Sequence, residues 1–419
     1  MHNSWKSIIL KLRVWGFKGV WSYLGVRYDS FCARRVLKRN AAKYKEVVPA
    51  HGITVVAPLT MKYSHSNAVR DFVFALKKAE IPFQTFDTNR CPEVSLADYA
   101  DVLTPEQEFR VNKYDHVIEM FKSPLPEGIV KHRARIAFWE GESGMLDVFP
   151  YLAGPDPVIG MSDFNVAYFR KALPPTTPVY KILYPLQTDV SGFDVPAAVR
   201  ARFGIGAEDF SVFFNFDLGS YYRKNPEGAL RAFALAFKGT PGTKLVFKLK
   251  LATEHADKIA ILEKLALELG VRDKLVLVKD YLSKKDLHGL TNACDVYLSL
   301  HRAEGFGIGI AEAMSLGKAV VVTDYSSSTE FCRPDNSIPV PYKLVPVPPQ
   351  EYFGPMGEWA DADTEAAATA LRKFHEDPAF REAIGQKAKA FIADYFSTEN
   401  FRKSVEAFLM NRCTSTEEG

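Results

Sequence analysis

Short apolar runs alternate with longer amphipathic stretches along most of the chain. Runs near Ile53–Pro58, Pro82–Phe86, His116–Met120, Arg135–Trp139, Val158–Met161 and Val179–Tyr184 read as strands in the first half. In the second half they fall near Val212–Asn215, Lys244–Lys248, Leu275–Val278, Val296–Leu300 and Ala319–Thr323. Between them, apolar residues recur at helical spacing over Pro226–Phe237, His255–Leu269, Lys284–Ala293 and Ile308–Leu316. Near-continuous apolar strands separated by helices predict parallel sheets covered on both faces. Two such sets predict two α/β domains joined in Pro185–Pro196, where polar and turn residues break the pattern. The stretch Ile338–Gly357, rich in Pro and Gly, reads as a loop.

In open parallel sheets, ligands bind beyond the carboxyl ends of the strands. The segment after the Val296–Leu300 run is therefore the first place to look for chemistry. It reads His301-Arg302-Ala303-Glu304-Gly305-Phe306-Gly307-Ile308-Gly309-Ile310-Ala311-Glu312-Ala313-Met314. Two carboxylates, Glu304 and Glu312, flank a glycine-spaced turn that opens into a helix. Unpaired N–H groups and the positive end of a helix dipole favour an anion there, and glycines let the backbone approach it closely. A second block runs from Asn215-Phe216-Asp217 to Tyr222-Arg223-Lys224-Asn225-Pro226. Arg223 and Lys224 lie between a strand and the helix that Pro226 opens, and Lys248 ends the next strand. Fixed cations in such a place stabilise charge that develops on a departing diphosphate.

The words "HRAEGFGIGIAEAMSLGKAVVVTDYSSSTEF" resemble the glutamate-x7-glutamate signature of retaining glycosyltransferases of the GT-B fold, in the large family 4 group, and the Asn215–Pro226 block resembles that group's phosphate-binding strand and loop. The resemblance covers residues 205 to 340 well and is weak over the first 200. It implies two Rossmann-like domains facing across a cleft. It also implies roles: Glu304, Lys224 and Arg223 at the reacting centre, and Glu312 on the ribose hydroxyls. Gly305, Phe306, Gly307 and Ile308 would face the sugar and diphosphate, with Lys248 as a further phosphate contact. The base is expected near Asp280-Tyr281-Leu282. Ser326, Ser327 and Ser328 read either as phosphate ligands or as a helix cap.

The acceptor side is less legible. The loop after the first strand carries Ser64, His65 and Asn67 where many relatives are glycine-rich, and Phe138-Trp139-Glu140-Gly141-Glu142 stands where the group often has a histidine. Ser64, His65, Asn67 and Glu140 are the acceptor-side candidates. Ser162-Asp163-Phe164 ends another strand near the expected cleft.

Bulk properties agree with a globular two-domain protein: 419 residues, 47% hydrophobic and 25% charged. No run of eighteen apolar residues exists, which argues against a membrane span. Cys32, Cys91, Cys294, Cys332 and Cys413 are scattered and form no CxxC pair, which suits a reducing compartment without disulfides or structural zinc. The net charge of +3 hides an asymmetry: residues 1–45 hold eleven basic side chains against Asp29 alone, leaving −7 for the remainder. The same segment holds Trp5, Trp15, Trp21, Phe17, Tyr23 and Tyr28. Basic and aromatic side chains together suit an anionic lipid surface. The competing reading is a helical hairpin packed on the body of the protein. Asp361-Ala362-Asp363 spells a metal-binding Asp-x-Asp, yet sits in what reads as a helix opening, where acids complement the dipole. No histidines are spaced as ligands, so no metal site and no cofactor is expected.

These expectations divide the chain into a basic N-terminal helical segment (1–46), an acceptor domain (47–190), a nucleotide-sugar domain (191–395) and a C-terminal helix and tail (396–419). The function they imply is metal-independent, retaining transfer of a hexose, with mannose suggested by the "HRAEGFG" wording. The donor would be GDP- or UDP-linked and the acceptor a glycan or lipid-linked glycan in polysaccharide synthesis. The expected location is the cytoplasm, with peripheral contact at the inner membrane face, and nucleic acid is not an expected partner. A nucleotide-sugar epimerase or a phosphorylase on the same architecture, and a non-catalytic glycan-binding subunit, are the rival readings.

Overall fold

A computed structural model describes residues 35–44, 48–61, 64–89, 94, 99–105, 107–120, 132–137, 150–186, 196–348 and 357–414. The first domain is a six-stranded parallel sheet of β1 (Ala50–Ala57), β2 (Phe83–Asp87), β3 (Tyr114–Met120), β4 (His132–Ile136), β5 (Val158–Gly160) and β6 (Val179–Lys181), in the order β2-β1-β3-β4-β5-β6. Helices α1 (Ser64–Lys78) and α2 (Asp163–Ala172) belong to it. The second sheet holds β7 (Phe210–Asp217), β8 (Thr243–Lys250), β9 (Leu275–Val278), β10 (Val296–Ser299), β11 (Ala319–Thr323) and β12 (Ile338–Val340), in the order β12-β11-β10-β7-β8-β9. Its neighbouring strands also pair parallel throughout. Around it stand α3 (Pro196–Arg202), α4 (Tyr221–Lys224), α5 (Pro226–Phe237), α6 (Ala256–Leu269), α7 (Lys284–Ala293), α8 (Ile308–Ser315), α9 (Thr364–Glu376) and α10 (Pro378–Tyr395). A two-stranded antiparallel ribbon, β13 (Tyr342–Pro346) with β14 (Glu358–Ala362), and a last helix, α11 (Thr398–Thr414), complete the described elements.

The second domain shows why its sequence reads so plainly. Strand β7 is almost wholly buried, with Phe214 and Phe216 packed against Phe247 of β8 and Phe213 against Tyr297 of β10. Each such side chain contributes ~1.5–3 kcal/mol by leaving water. Helix α5 starts where it must: Pro226 needs no N–H partner at the first turn, and Asn225 Oδ1 accepts from Gly228 N at 3.1 Å. The Asn225 amide also donates to Leu300 O at 3.0 Å, tying this helix start to the exit of β10.

Four expectations need correction. The strand expected at Arg135–Trp139 lies three residues earlier, because β4 carries buried polar side chains, His132 among them, that mask its apolar pattern. The strand expected to reach Tyr184 leaves the sheet at Lys181: the Leu183 N–H instead donates to Ser404 Oγ, 3.2 Å away on α11. Within the expected loop Ile338–Gly357 lie β12 and β13; β13 is mostly exposed and pairs only with β14, so it has no apolar signature. Asp361 and Ala362 belong to β14 rather than to a helix opening, and only Asp363 caps α9.

Two segments outside the sheets shape the domains. Residues 35–43 are helical and pack on the first domain, with Leu37 fully buried beside Val56, Phe86 and Phe109. The Asn40 side chain donates to Phe109 O at 2.7 Å and accepts from Val111 N at 2.8 Å. The rest of the basic aromatic segment, residues 1–34, lies outside the described residues. The last helix α11 returns to the first domain, where Phe401 meets Phe72 edge-on at 5.6 Å and Phe408 meets Tyr180 at 5.5 Å.

Candidate functional site

The carboxyl ends of β7 and β10 bring the two singled-out blocks together. Glu304 is buried, and both cations of the other block converge on it: Lys224 Nζ on Oε1, and Arg223 Nη1 on Oε2 at 3.4 Å. Arg223 also donates to Ala303 O at 3.0 Å and to Ser220 Oγ at 3.2 Å, which fixes its fork against the loop. Burial alone would raise the Glu304 carboxyl, but Lys224 and Arg223 overcome it and hold the group down at about 2. Burial also pushes the Lys224 ammonium below its ordinary value, against the pull of Glu304 and with help from Arg223. A simple ion pair would raise the lysine. Burial drives the lysine down in spite of Glu304, and the two cations drive the carboxyl down in spite of burial; two cations facing one carboxylate give this triad a formal charge of +1. Such a site favours a further anion.

Lys248, two residues before the end of β8, is a further cation of this domain. It is buried, donates to Leu249 O at 2.9 Å, and is lowered to about 8 by burial and by Lys250. Gly307 caps α8 in the left-handed region at φ +91°, where a side chain would be strained. Gly309 is also required, since a Cβ there would stand 2.6 Å from the Tyr297 hydroxyl. Phe306 stacks on Tyr184 at 4.3 Å. Glu312, one helical turn into α8, faces His288 Nε2 at 3.1 Å; burial opposes its ionisation, and the His288 contact brings its carboxyl below the usual value.

Of the residues expected at the base, Tyr281 is 84% exposed, whereas Leu282 packs into the domain core. Leu282 therefore supports the loop from beneath, and Tyr281 is the one with a free surface. On the other domain, Ser64 and His65 open α1, and Asn67 stands exposed in its first turn, its side-chain oxygen accepting from Arg70. Glu140, with Phe138, Trp139, Gly141 and Glu142, lies outside the described residues.

Two supporting residues, Arg302 and His301, were given no role in advance. Arg302 bonds Asp361 Oδ1 through Nε and Nη2 at 3.0 and 2.8 Å, and reaches Tyr222 O at 2.6 Å, tying the ribbon to the Arg223 turn. The Asp-x-Asp spelling is thus partly an ion pair and partly the α9 cap. His301 is buried and lowered to about 4 by that burial, so it is neutral, and it lies between Ser299 Oγ and Tyr325 O. The serine turn braces the donor loop: Glu304 N donates to Ser326 Oγ at 2.8 Å, Ser327 Oγ donates to Gly305 O at 2.8 Å, and Ser328 Oγ lies 3.4 Å from His301 Nε2. Only the word-level neighbourhood of Glu304 in the sequence pointed to Arg302 and His301, whereas the serine turn reads there as phosphate ligands or a helix cap.

Among the described residues, one group with metal-ligand chemistry stands elsewhere: His51, Asp115 and His116, with ligand-type atoms within 4.8 Å. It sits at the amino ends of β1 and β3, away from the strand ends that bind ligands. Asp115 hydrogen-bonds both imidazoles there, at 3.3 and 2.8 Å. No helix of the described residues is long and apolar enough to cross a membrane.

Comparison with known proteins fits this geometry. Residues 218–391 match the family Glycosyl transferases group 1, a span that includes Arg223, Lys224, Glu304 and Glu312. Among solved structures, Alr3699/HepE of Anabaena in complex with UDP and glucose is similar at 16% identity, covering 86% of this chain and 100% of that one with a TM-score of 0.61. Sucrose-phosphate synthase from Thermosynechococcus elongatus is similar at 14% identity, 87% and 100% coverage and a TM-score of 0.61. A glycosyltransferase from Rickettsia africae is similar at 10% identity, 87% and 99% coverage and a TM-score of 0.64. At such identities the likeness is one of fold, and the fold is GT-B: two Rossmann-like domains facing across a cleft. No curated protein matches the chain in sequence.

Proposed function

We propose that this protein is a retaining glycosyltransferase that moves a hexose from a nucleotide sugar to a glycan or lipid-linked glycan, without a metal ion. The observation that carries the reading is the buried triad of Glu304, Arg223 and Lys224 at the mouth of a glycine-capped helix, within the stretch that matches the glycosyltransferase family. A net positive, preorganised pocket is what a departing nucleoside diphosphate needs, because its charge grows as the glycosidic bond breaks. Lys224 and Arg223 would take the diphosphate oxygens, with Lys248 behind them. Glu304, released in part from Lys224 by the diphosphate, would accept from the sugar hydroxyls and hold the reacting carbon. Glu312, oriented by His288, would accept from the ribose hydroxyls. Among the described residues Glu304 is held by two cations, Lys224 and Arg223, so we favour attack on the same face as the departing phosphate, which retains the anomeric configuration. The more familiar alternative, a covalent route, uses two carboxyl groups about 5 Å apart.

The acceptor would enter from the first domain, past the start of α1. HepE is described with UDP and glucose, so UDP-glucose stands beside GDP-mannose as a first donor to test. The deciding experiment is a donor panel with mass detection of the released nucleoside diphosphate, run with and without EDTA. Release of UDP or GDP that survives EDTA supports the reading. Phosphate-dependent release of sugar phosphate, interconversion of the sugar without release, or no nucleotide binding at all would replace it with a phosphorylase, an epimerase or a binding subunit respectively.

A further inference from the structure

The two domains meet directly behind the Glu304 loop. Helix α2 of the first domain begins at Ser162, whose hydroxyl accepts from Asn165 N at 3.1 Å as an N-cap. The same hydroxyl lies 2.8 Å from Ser327 Oγ and 3.3 Å from Gly305 O, both in the second domain. One turn further along the second domain, Glu330 is gripped by two groups of the first: Lys181 Nζ at 2.9 Å and the Asp163 N–H. The Tyr395 hydroxyl holds the same carboxylate at 3.0 Å from its own side. Lys181 and Glu330 are largely shielded from water, at 27% and 11% side-chain exposure, so their attraction is less screened than that of a surface pair.

This contact continues into the site through hydrogen bonds. Ser326 accepts from Glu304 N, and Ser327 donates to Gly305 O. The short turn that the first domain grasps is therefore the turn that holds the main chain of Glu304.

We infer that Ser162 and Lys181, closing on Ser327 and Glu330, form an interdomain clasp that positions the Glu304 loop. These are positioning residues: none of them reaches the diphosphate cations, all of which lie in the second domain. Releasing the clasp should leave nucleotide affinity unchanged while loosening the loop that steers the sugar. The catalytic consequence rests on the proposed donor site; the structural one does not.

The test uses the full chain and Lys181→Met, which removes the clasp's cation and touches no site residue. Hydrogen exchange of residues 303–308 is followed first, without ligand. Faster exchange there by tenfold or more, with the core of the second domain unchanged, is expected, and Lys181→Arg should restore the wild-type rate. Glu330→Gln should give a smaller increase, which keeps the test usable if Lys181→Met folds poorly. Unchanged exchange at 303–308 in both variants overturns the clasp. Titration with UDP and GDP follows. A wild type that binds neither refutes the donor reading and leaves the exchange result standing. Where the wild type binds and turns over UDP-glucose or GDP-mannose, the clasp requires Lys181→Met to lose tenfold or more in kcat at a donor KM within about twofold. A loss in KM alone refutes the positioning role.

Discussion

Replacing Glu304 by glutamine tests the charge reading of the site most directly. The amide keeps the shape and one hydrogen-bond acceptor but removes the carboxylate that, among the described residues, pairs with both Lys224 and Arg223. The triad changes from +1 to +2 while staying buried. Unit charges about 4 Å apart interact by about 4 kcal/mol at an effective dielectric near 20. Breaking a buried pair by removing one partner costs about 3–5 kcal/mol. The remaining amide contact argues for the lower end, about 3 kcal/mol. At about 2–4 °C per kcal/mol for a domain of this size, the ligand-free Tm should fall by about 6–12 °C.

The same substitution should tighten UDP. The diphosphate replaces the lost carboxylate as counter-charge, and recovery of even half of the 3 kcal/mol gives about tenfold in affinity. The shift in Tm on adding UDP should therefore exceed that of the wild type, while turnover falls by orders of magnitude because the group that steers the sugar is gone. The stability gap has a pH signature. The Glu304 carboxyl titrates near 2 in the folded protein, below its ordinary value of 4.5. Its contribution is thus complete above about 4.5 and lost as pH falls towards 2, so wild type and Glu304→Gln should converge in acid. Thermal unfolding with and without UDP, at neutral pH and near pH 3, measures all of this. A variant with wild-type Tm and wild-type UDP affinity would refute the net-positive triad, and a variant with normal turnover would refute the role of Glu304 itself.

Other outcomes follow from the same geometry. Lys224→Ala should raise the donor KM ten- to a hundredfold, the loss of a charged hydrogen bond worth about 1.5–3 kcal/mol, and unchanged donor kinetics would remove it from the site. Lys248 titrates near 8 and is charged below that value, so donor affinity should weaken as pH rises through 8; Lys248→Arg should abolish that break, and a break that persists belongs to another group. Gly309→Ala should lower the Tm through the clash of its Cβ with the Tyr297 hydroxyl, at a cost of about 1–3 kcal/mol, with Tyr297→Phe in the same chain recovering most of it; no recovery would place the strain elsewhere. Removing residues 1–34, which spares the packed Leu37 and Asn40, should reduce sedimentation with anionic liposomes, and equal sedimentation of both chains would end the lipid proposal.

The second domain was legible because each level of its chemistry repeats the same message. Strands β9 and β11 and helices α5 and α7 match their expected limits, since apolar runs, Pro226 at a first turn and the Ser283 cap all coincide there with element ends. Glu304, Arg223 and Lys224 were singled out from two distant blocks, and the exits of β7 and β10 bring them into contact. What was not legible depends on partners far apart in sequence. Asp361 looked like a metal ligand or a helix-start acid, and only folding shows Arg302 to be its partner, 59 residues away. The Ser326–Ser328 turn offered hydroxyls that suit a phosphate equally well, and it is the approach of Glu304, Gly305 and Ser162 that turns them into braces. A hydroxyl carries no mark of which donor it will meet, whereas a buried carboxylate must find a cation or lose its charge. The charged residues of a site are for that reason readable earlier than the uncharged groups that hold them in place.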